Sequence, residues 1–179
     1  EIASEIGVSK TVLYRYFADK SDLTTATMMR YVETILSPRI YEAISGDLDD
    51  FELTQASITA YVETVASDPD IYLYVMANGA GANRDVVADS ERMIAELLST
   101  VLGNRLREME MDSGGSLPWA FGIVGGIQLA THWWISNKSM SAESLIDYLT
   151  MMTWGGITGI AAVNGSPAKF KSVPHPLVK

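Results

Sequence analysis

The chain has 179 residues, 47% apolar and 20% charged, which is sufficient for a sizeable core and excludes wholesale disorder. It contains no cysteine, which excludes a disulfide framework, a thiol nucleophile and a cysteine-ligated metal. Its formal net charge of −9 excludes a surface that is basic throughout, so any contact with nucleic acid must come from a local patch.

The charge is unevenly distributed along the chain. In residues 1–30 four basic side chains balance four acidic ones, so the net charge of −9 lies in the remainder. A neutral N-terminal segment, residues 1–30 (the head), followed by an acidic remainder (the body), indicates different functions for the two parts. No signal peptide is visible, because Glu1 and Glu5 stand where a basic and then apolar segment would be needed, and we expect a cytoplasmic location.

The apolar residues recur at intervals of three and four, and alternating β-branched runs are absent, so the sequence predicts an all-α fold. Helices are expected at residues 1–6, 10–17, 20–45, 51–67, 69–77, 83–111, 116–136 and 141–163. Pro38 should kink or interrupt the third of these helices. The tail, residues 164–179, contains three prolines and is expected to be extended.

The opening segment has the pattern of two short helices joined by a tight turn. Gly7 suits the left-handed conformation of such a turn, and Ser9 can cap the helix that follows. In that helix the residues available for packing include Val12, Leu13 and Phe17. The polar side chains left to project outward are Lys10, Thr11, Tyr14 and Arg15. This is the helix-turn-helix arrangement, whose second helix enters the major groove of DNA.

The pattern I-A-x-x-x-G-V-S-x-x-x-L-Y-x-Y-F-x-x-K-x-x-L, residues 2–23, resembles the DNA-binding signature of the TetR (tetracycline-repressor-like) transcriptional regulators. The residues in register are Ile2, Ala3, Gly7, Val8, Ser9, Leu13, Tyr14, Tyr16, Phe17, Lys20 and Leu23. The resemblance implies a DNA-binding head at residues 1–30 and a helical ligand-binding and dimerisation body at residues 31–163. It also implies a further helix ahead of the helix pair, which this sequence lacks.

By this resemblance, the side chains expected at DNA are Ser9, Lys10, Thr11, Tyr14, Arg15, Tyr16 and Lys20. The first three would meet base edges or nearby phosphates, and the two tyrosines would donate hydrogen bonds to phosphates. Arg15 could reach a guanine or a phosphate, and Lys20 would make a charge-assisted phosphate contact. In the alternative interpretation, the tyrosines are core aromatics and the cations form a solvated face. Val12 departs from the family pattern, which often has Thr or Ser there.

Two long stretches, residues 113–137 and 148–168, contain no Asp, Glu, Lys or Arg. Each is long enough to cross a bilayer, but polar side chains interrupt both, and no Lys/Arg cluster flanks them to set an orientation. We therefore expect no membrane partner.

The spacing of small residues explains the lack of charge in these two stretches better than a membrane span does. The motifs Gly122-x-x-x-Gly126 and Gly155-x-x-x-Gly159 each place two glycines on one helix face, where another backbone can approach closely. We expect the helices at 116–136 and 141–163 to form half of a four-helix bundle across the two-fold axis of a homodimer. Burial of both helices within a monomer is the alternative.

The body of a TetR-like protein is a small-molecule sensor, in which a bound effector tilts the helix leading from the head and spreads the two heads. In this chain Pro38 is a candidate flex point of that helix. The side chains expected to line the effector site are Tyr72, Met76, Met93, Leu97, Trp119, Gln128, Thr131 and His132. Such a lining suits a small hydrophobic effector, although these residues could also be ordinary core, and a cationic amphiphile could instead pair with Glu63 or Glu96.

No catalytic motif is present, and with two histidines the chain cannot build a multi-histidine metal site, so we expect no cofactor, no metal and no enzyme. The sequence predicts a ligand-responsive transcriptional regulator, a repressor, that binds a palindromic double-stranded operator as a homodimer. A helical enzyme or carrier for a hydrophobic molecule is the alternative.

Overall fold

The computed structural model describes Gly7, residues 9–78 and residues 84–176. Within these ranges every regular element is a helix, which confirms the all-α fold. The helix expected at residues 1–6, Val8 and the break expected at residues 79–81 lie outside the described part.

The head contains helix α1 (Lys10–Tyr16) and the start of α2 (Lys20–Tyr31). Gly7 has the left-handed φ of +71° that the turn requires, and the Ser9 hydroxyl accepts a hydrogen bond from the backbone N–H of Val12 at 3.3 Å. The carboxylate of Asp19 accepts from the backbone N–H of Asp22 at 2.9 Å, capping α2 in the same way. Local capping therefore fixes both helix starts.

The helix that leads from the head into the body is continuous but not uniform. After α2 it passes through one π-helical turn, Val32–Leu36, and continues as α3 (Ser37–Ile44). Pro38 has no N–H with which to bond the carbonyl of Thr34, and the backbone N–H of Ser37 bonds the Val32 carbonyl five residues back. The interruption expected at Pro38 thus takes the form of a π-helical turn.

The body is built from five longer helices: α4 (Asp50–Ser67), α5 (Pro69–Asn78), α6 (Arg84–Glu108), α7 (Ser116–Asn137) and α8 (Ala142–Ala162). In α4, the central helix, a capping box joins Asp49 and Glu52, each side chain accepting from the other residue's backbone N–H at 2.8 and 3.0 Å. The Arg105 guanidinium donates to the Asp50 carboxylate at 3.0 Å and so ties the end of α6 to the start of α4.

The core lies where α4, α5, α7 and α8 meet. Its buried members are Ile58, Val62, Val65, Tyr72, Trp134, Ile135, Leu145, Ile146 and Leu149. In the described ranges no helix combines the length and the apolar character that crossing a bilayer requires.

The expectation of an extended tail from residue 164 is wrong for Pro167–Ser172, which form a short helix, α9. The Ser166 hydroxyl accepts from the backbone N–H of Lys169 at 3.3 Å, and a proline in the first turn of a helix sacrifices no hydrogen bond. The start of the tail is also anchored, because the carbonyl of Asn164 accepts from the backbone N–H of Asp112 at 2.9 Å.

Candidate DNA interface and effector site

The side chains of α1 expected at DNA lie on the protein surface. Tyr14 is 69% exposed and Tyr16 is 72% exposed, so neither is a core aromatic. The other expected contacts are exposed as well: Ser9, Lys10, Thr11, Arg15 and Lys20. A short helix that presents two tyrosines to water, among hydroxyl and cationic side chains, offers hydrogen-bond donors of the kind that contact DNA phosphates.

The opposite side of α1 carries its packing residues. Leu13 and Phe17 are partly buried, as expected. Val12 was also expected to pack but is 42% exposed, so the outward face of α1 includes one apolar position.

This surface carries three cations. In the described ranges no carboxylate forms an ion pair with Lys10, Arg15 or Lys20. Because the chain as a whole carries a net charge of −9, this concentration of cations and hydroxyls makes the head electrostatically distinct from the body.

The head is joined to the body by buried polar contacts that sequence reasoning missed. The Thr24 hydroxyl in α2 is 2% exposed and lies 2.9 Å from the Tyr74 hydroxyl in α5. The Tyr31 hydroxyl donates to the carbonyl of Thr64 at 3.4 Å, and burial, aided by the nearby Asp68, raises the pKa of Tyr31. No local sequence signal connects residues 50 or 33 positions apart, so only the fold reveals these contacts.

Four of the expected effector residues come together between α5 and α7. The rings of Tyr72 and His132 lie 5.9 Å apart between centroids, and the Gln128 amide lies 3.9 Å from the Met76 sulfur as a weak donor. Within each helix the two residues are four positions apart and share one face. Thr131 is fully buried beside them, and its hydroxyl donates to the Ile127 carbonyl at 2.8 Å.

Two buried polar atoms in α7 and α8 are left without a hydrogen-bond partner among the described residues, His132 Nδ1 and Thr150 Oγ1. Buried polar atoms are nearly always hydrogen-bonded in folded proteins. His132 Nδ1 therefore differs from that of an ordinary core histidine, and it is a polar group that a ligand could satisfy.

The remaining three expected effector residues do not join this group. Met93 and Leu97 are 60% and 50% exposed, because each is two residues from the fully buried Ala95 and so faces away from the core. Trp119 packs over the turn at Gly115, so closely that a Cβ added at Gly115 would clash with the indole ring.

A separate acidic groove of about 520 Å³ lies between α3 and α4. Its lining includes Glu42, Glu52, Glu63 and Arg39, over the small side chains Ala56 and Ala60. The Glu63 carboxylate considered for a cationic amphiphile is thus at this groove, whereas Glu96 is not part of its lining.

The outer face of α7 is apolar and flat. Gly122 and Gly126 each have open space where a Cβ would be, and Leu129 and Trp133 on the same face are 71% and 47% exposed. An exposed apolar face of this kind is typical of a contact surface.

The outer face of α8 repeats these features. Gly155 and Gly159 also have open space at the Cβ position. The large side chains beside them, Tyr148, Met151 and Met152, are 60%, 68% and 58% exposed. The two glycine motifs therefore lie on surfaces that nothing in the described part of the chain covers.

Comparison with known families identifies both parts of the chain. A family model described as "Bacterial regulatory proteins, tetR family" matches residues 1–27, and one described as "Tetracyclin repressor-like, C-terminal domain" matches residues 39–169. The chain belongs to the TetR family of transcriptional regulators. Helix α1 lies within the residues matched by the first model, and the resemblance drawn from residues 2–23 is confirmed.

Individual relatives agree with this assignment. An uncharacterized HTH-type transcriptional regulator of Mycobacterium tuberculosis is 56% identical over 176 residues, which cover 98% of this chain and 75% of the relative. The HTH-type transcriptional activator FasR of Mycolicibacterium smegmatis is 23% identical over 161 residues, covering 89% of this chain and 73% of FasR. The nucleoid occlusion factor SlmA of Vibrio vulnificus is 22% identical over 118 residues, covering 66% of this chain and 60% of SlmA. The family and the first two of these relatives are transcriptional regulators.

Proposed function

We propose that this TetR-family regulator binds a palindromic operator as a homodimer, represses transcription there, and is released by a small hydrophobic effector. The observation that carries the proposal is the surface of α1, where two tyrosines are presented beside cations that form no ion pair in the described ranges, on an otherwise acidic protein. Ser9, Lys10 and Thr11 begin the helix at the end that reaches base edges in a major groove. Binding to the chromosome places the protein in the cytoplasm.

The homodimer is supported by the uncovered faces of α7 and α8. Their glycines allow close approach of a second pair of helices, and burial of their apolar side chains stabilises association by about 1.5–3 kcal/mol for each large side chain. A four-helix bundle formed by α7 and α8 of both subunits would cover all of these residues at once.

The effector site is proposed between α5 and α7, beside Tyr72, Met76, Gln128, Thr131 and His132. The aromatic and thioether side chains favour an apolar molecule, and His132 Nδ1 offers one polar contact to it. Such an effector releases DNA only if it binds the non-DNA-binding conformation more tightly than the DNA-binding one.

Selection of operators from a random DNA library tests the proposal. The full-length protein should enrich a palindrome whose half-sites are one helical turn apart. Tyr14→Ala should abolish specific binding, and Lys20→Ala should weaken it about ten-fold and reduce the salt dependence by about two phosphate contacts, one on each head of the dimer.

The matched controls are Tyr41→Ala and Lys171→Ala, which remove an exposed tyrosine and an exposed lysine from the body and should leave binding unchanged. Failure of the wild-type protein to enrich any site, or equal binding by all four variants, would refute the operator contact at α1.

A further inference from the structure

The helix that connects head and body, residues 20–44, contains one irregular turn in its middle. Backbone angles on both sides are those of a regular helix, with φ/ψ of −59°/−47° at Tyr31 and −61°/−46° at Ser37. A π-helical turn accommodates one residue more than an α-helical turn. Val32–Leu36 is therefore equivalent to a single-residue insertion in an otherwise continuous helix.

This turn is held by fewer local restraints than the helix around it. Pro38 cannot donate a hydrogen bond to the carbonyl of Thr34, and its ring opposes the close approach that an α-helical turn would require. The Thr34 hydroxyl donates to the carbonyl of Arg30 at 2.6 Å, a back-bond that bends helices. The side chains of Pro38 and Thr34 therefore both favour bending of the helix at this position.

The two halves of the connecting helix are fixed to the body in different ways. Beyond the π-helical turn, α3 packs along α4, Leu36 is buried, and the Arg39 guanidinium donates to the Ser67 hydroxyl at 3.1 Å. Before the turn, two polar contacts join α2 to the body. The Tyr31 hydroxyl, next to the turn, donates to the carbonyl of Thr64, and farther from the turn the Thr24 hydroxyl, 2% exposed, is hydrogen-bonded to that of Tyr74.

Tyr74 lies on α5 midway between Tyr72 and Met76. Because residues two positions apart lie on roughly opposite sides of a helix, α5 presents Tyr74 to the head and Tyr72 and Met76 to α7. Any displacement of α5 by a molecule between α5 and α7 would therefore act on the Thr24–Tyr74 contact.

We propose that the π-helical turn Val32–Leu36 is a hinge, and that the Thr24–Tyr74 hydrogen bond holds it in the position seen here. The proposal rests on the proposed function for its role in regulation, since it gives the effector site a physical route to the head. The hinge itself is a property of the chain that can be measured without DNA or effector.

Spin labels on either side of the hinge measure it directly. The chain has no cysteine, so the pair Thr27→Cys and Gln55→Cys, both exposed, labels α2 and α4 specifically. Labelled full-length protein is mixed with an excess of unlabelled protein, so that the distances recorded by double electron–electron resonance are those within one subunit.

Tyr74→Phe in this labelled protein should shift and broaden the distance distribution. Loss of this hydrogen bond should raise, about five-fold, the ratio of molecules in which α2 has moved away from α5 to molecules in which it has not. The Thr24 hydroxyl keeps its 2.8 Å bond to the carbonyl of Lys20, so the substitution leaves no unpaired group on α2. Tyr41→Phe, at an exposed tyrosine of α3, is the matched control and should leave the distribution unchanged. Equal distance distributions in Tyr74→Phe and wild type would show that the Thr24–Tyr74 hydrogen bond does not hold the hinge in position.

A second variant tests the hinge in the opposite direction. Deletion of Thr34 combined with Pro38→Ala removes the extra residue and restores a backbone donor, so a regular helix can form with both halves in their original orientation. Its distance distribution should be narrower than that of the wild type, and a width equal to or above the wild-type width would overturn the hinge.

The two proposals fail separately. Unchanged distance distributions in both variants would refute the hinge. Operator selection by the wild type would still support the proposed function. Absence of operator selection would remove the proposed function, while a shift in Tyr74→Phe and a narrowing in the deletion variant would still establish the hinge.

Discussion

Two regions of this protein expose large side chains to water, and the chemistry around them is different. On α1, Tyr14 and Tyr16 are accompanied by hydroxyl and cationic side chains. On α7, Leu129 and Trp133 are accompanied by glycines and lie within a stretch that has no charged residue. Exposure alone therefore marks a surface as a contact site, and the neighbouring groups indicate whether the partner is a charged polymer or another protein.

The two surfaces also differ in the source of the binding free energy that each would supply. Contacts to phosphates gain from the release of counterions and weaken as salt is added. Burial of apolar faces gains from removal of surface from water and does not depend on charge pairs. This difference gives the comparison measurable consequences.

Salt separates the two surfaces most strongly. With three cations on each head, operator binding by the dimer should have a slope of about −5 in log K against log salt, so affinity should fall about 1,000-fold between 50 and 200 mM salt. Over the same range the dimer dissociation constant should change less than about three-fold, because α7 contains no charged residue and α8 contains only Glu143 and Asp147, in its first two turns. Fluorescence anisotropy and analytical ultracentrifugation check the two quantities, and dimerisation as salt-dependent as DNA binding would contradict the comparison.

A bulky side chain on either glycine face should weaken the dimer next most strongly. Gly126→Leu and Gly159→Leu place four additional carbons where the second subunit is expected, and each acts twice across the two-fold axis. We expect the dissociation constant to rise about 100-fold, measured by sedimentation.

Thr100→Leu is the matched control, because it adds a leucine to an exposed position of α6 outside the proposed bundle. Unchanged mass in both glycine variants would mean that the bundle forms elsewhere, and operator binding should then also be unaffected.

On the inner faces of α7 and α8, two buried threonines differ in their hydrogen bonding. Thr150 Oγ1 has no hydrogen-bond partner among the described residues, whereas the Thr131 hydroxyl bonds the carbonyl of Ile127. Because valine has the same shape as threonine, Thr150→Val should be more stable than Thr131→Val by about 1 kcal/mol in urea unfolding. The reverse order would show that Thr150 has a polar partner in solution.

The helices of the body and the start of α1 could be predicted from the sequence because their signals are local. Ser9 as a cap, Gly7 as a left-handed turn and the glycine spacing of α7 each act within a few residues. The short helix α9 was missed because Pro167 was interpreted as a breaker, although a proline that follows a capping serine begins a helix well.

The structure brings together only part of the side chains that the sequence predicts at an effector site. Tyr72, Met76, Gln128 and His132 lie together between α5 and α7, with each pair spaced by one helical turn, and their role in binding an effector stays a prediction. Met93 and Leu97 satisfy the same spacing but face outward, and sequence periodicity does not say which side of α6 is covered by another helix.

The sequence by itself determined the helical fold, the identity of the head and the two glycine faces, since these depend on dihedral preferences and on spacing along one helix. Tertiary structure alone decided which apolar faces are buried, where α2 touches α5, and that Pro38 follows a π-helical turn in an unbroken helix. The physical reason is range: capping and periodicity act over one or two turns, whereas the contact between Thr24 and Tyr74 joins residues 50 positions apart and exists only once the whole chain has packed.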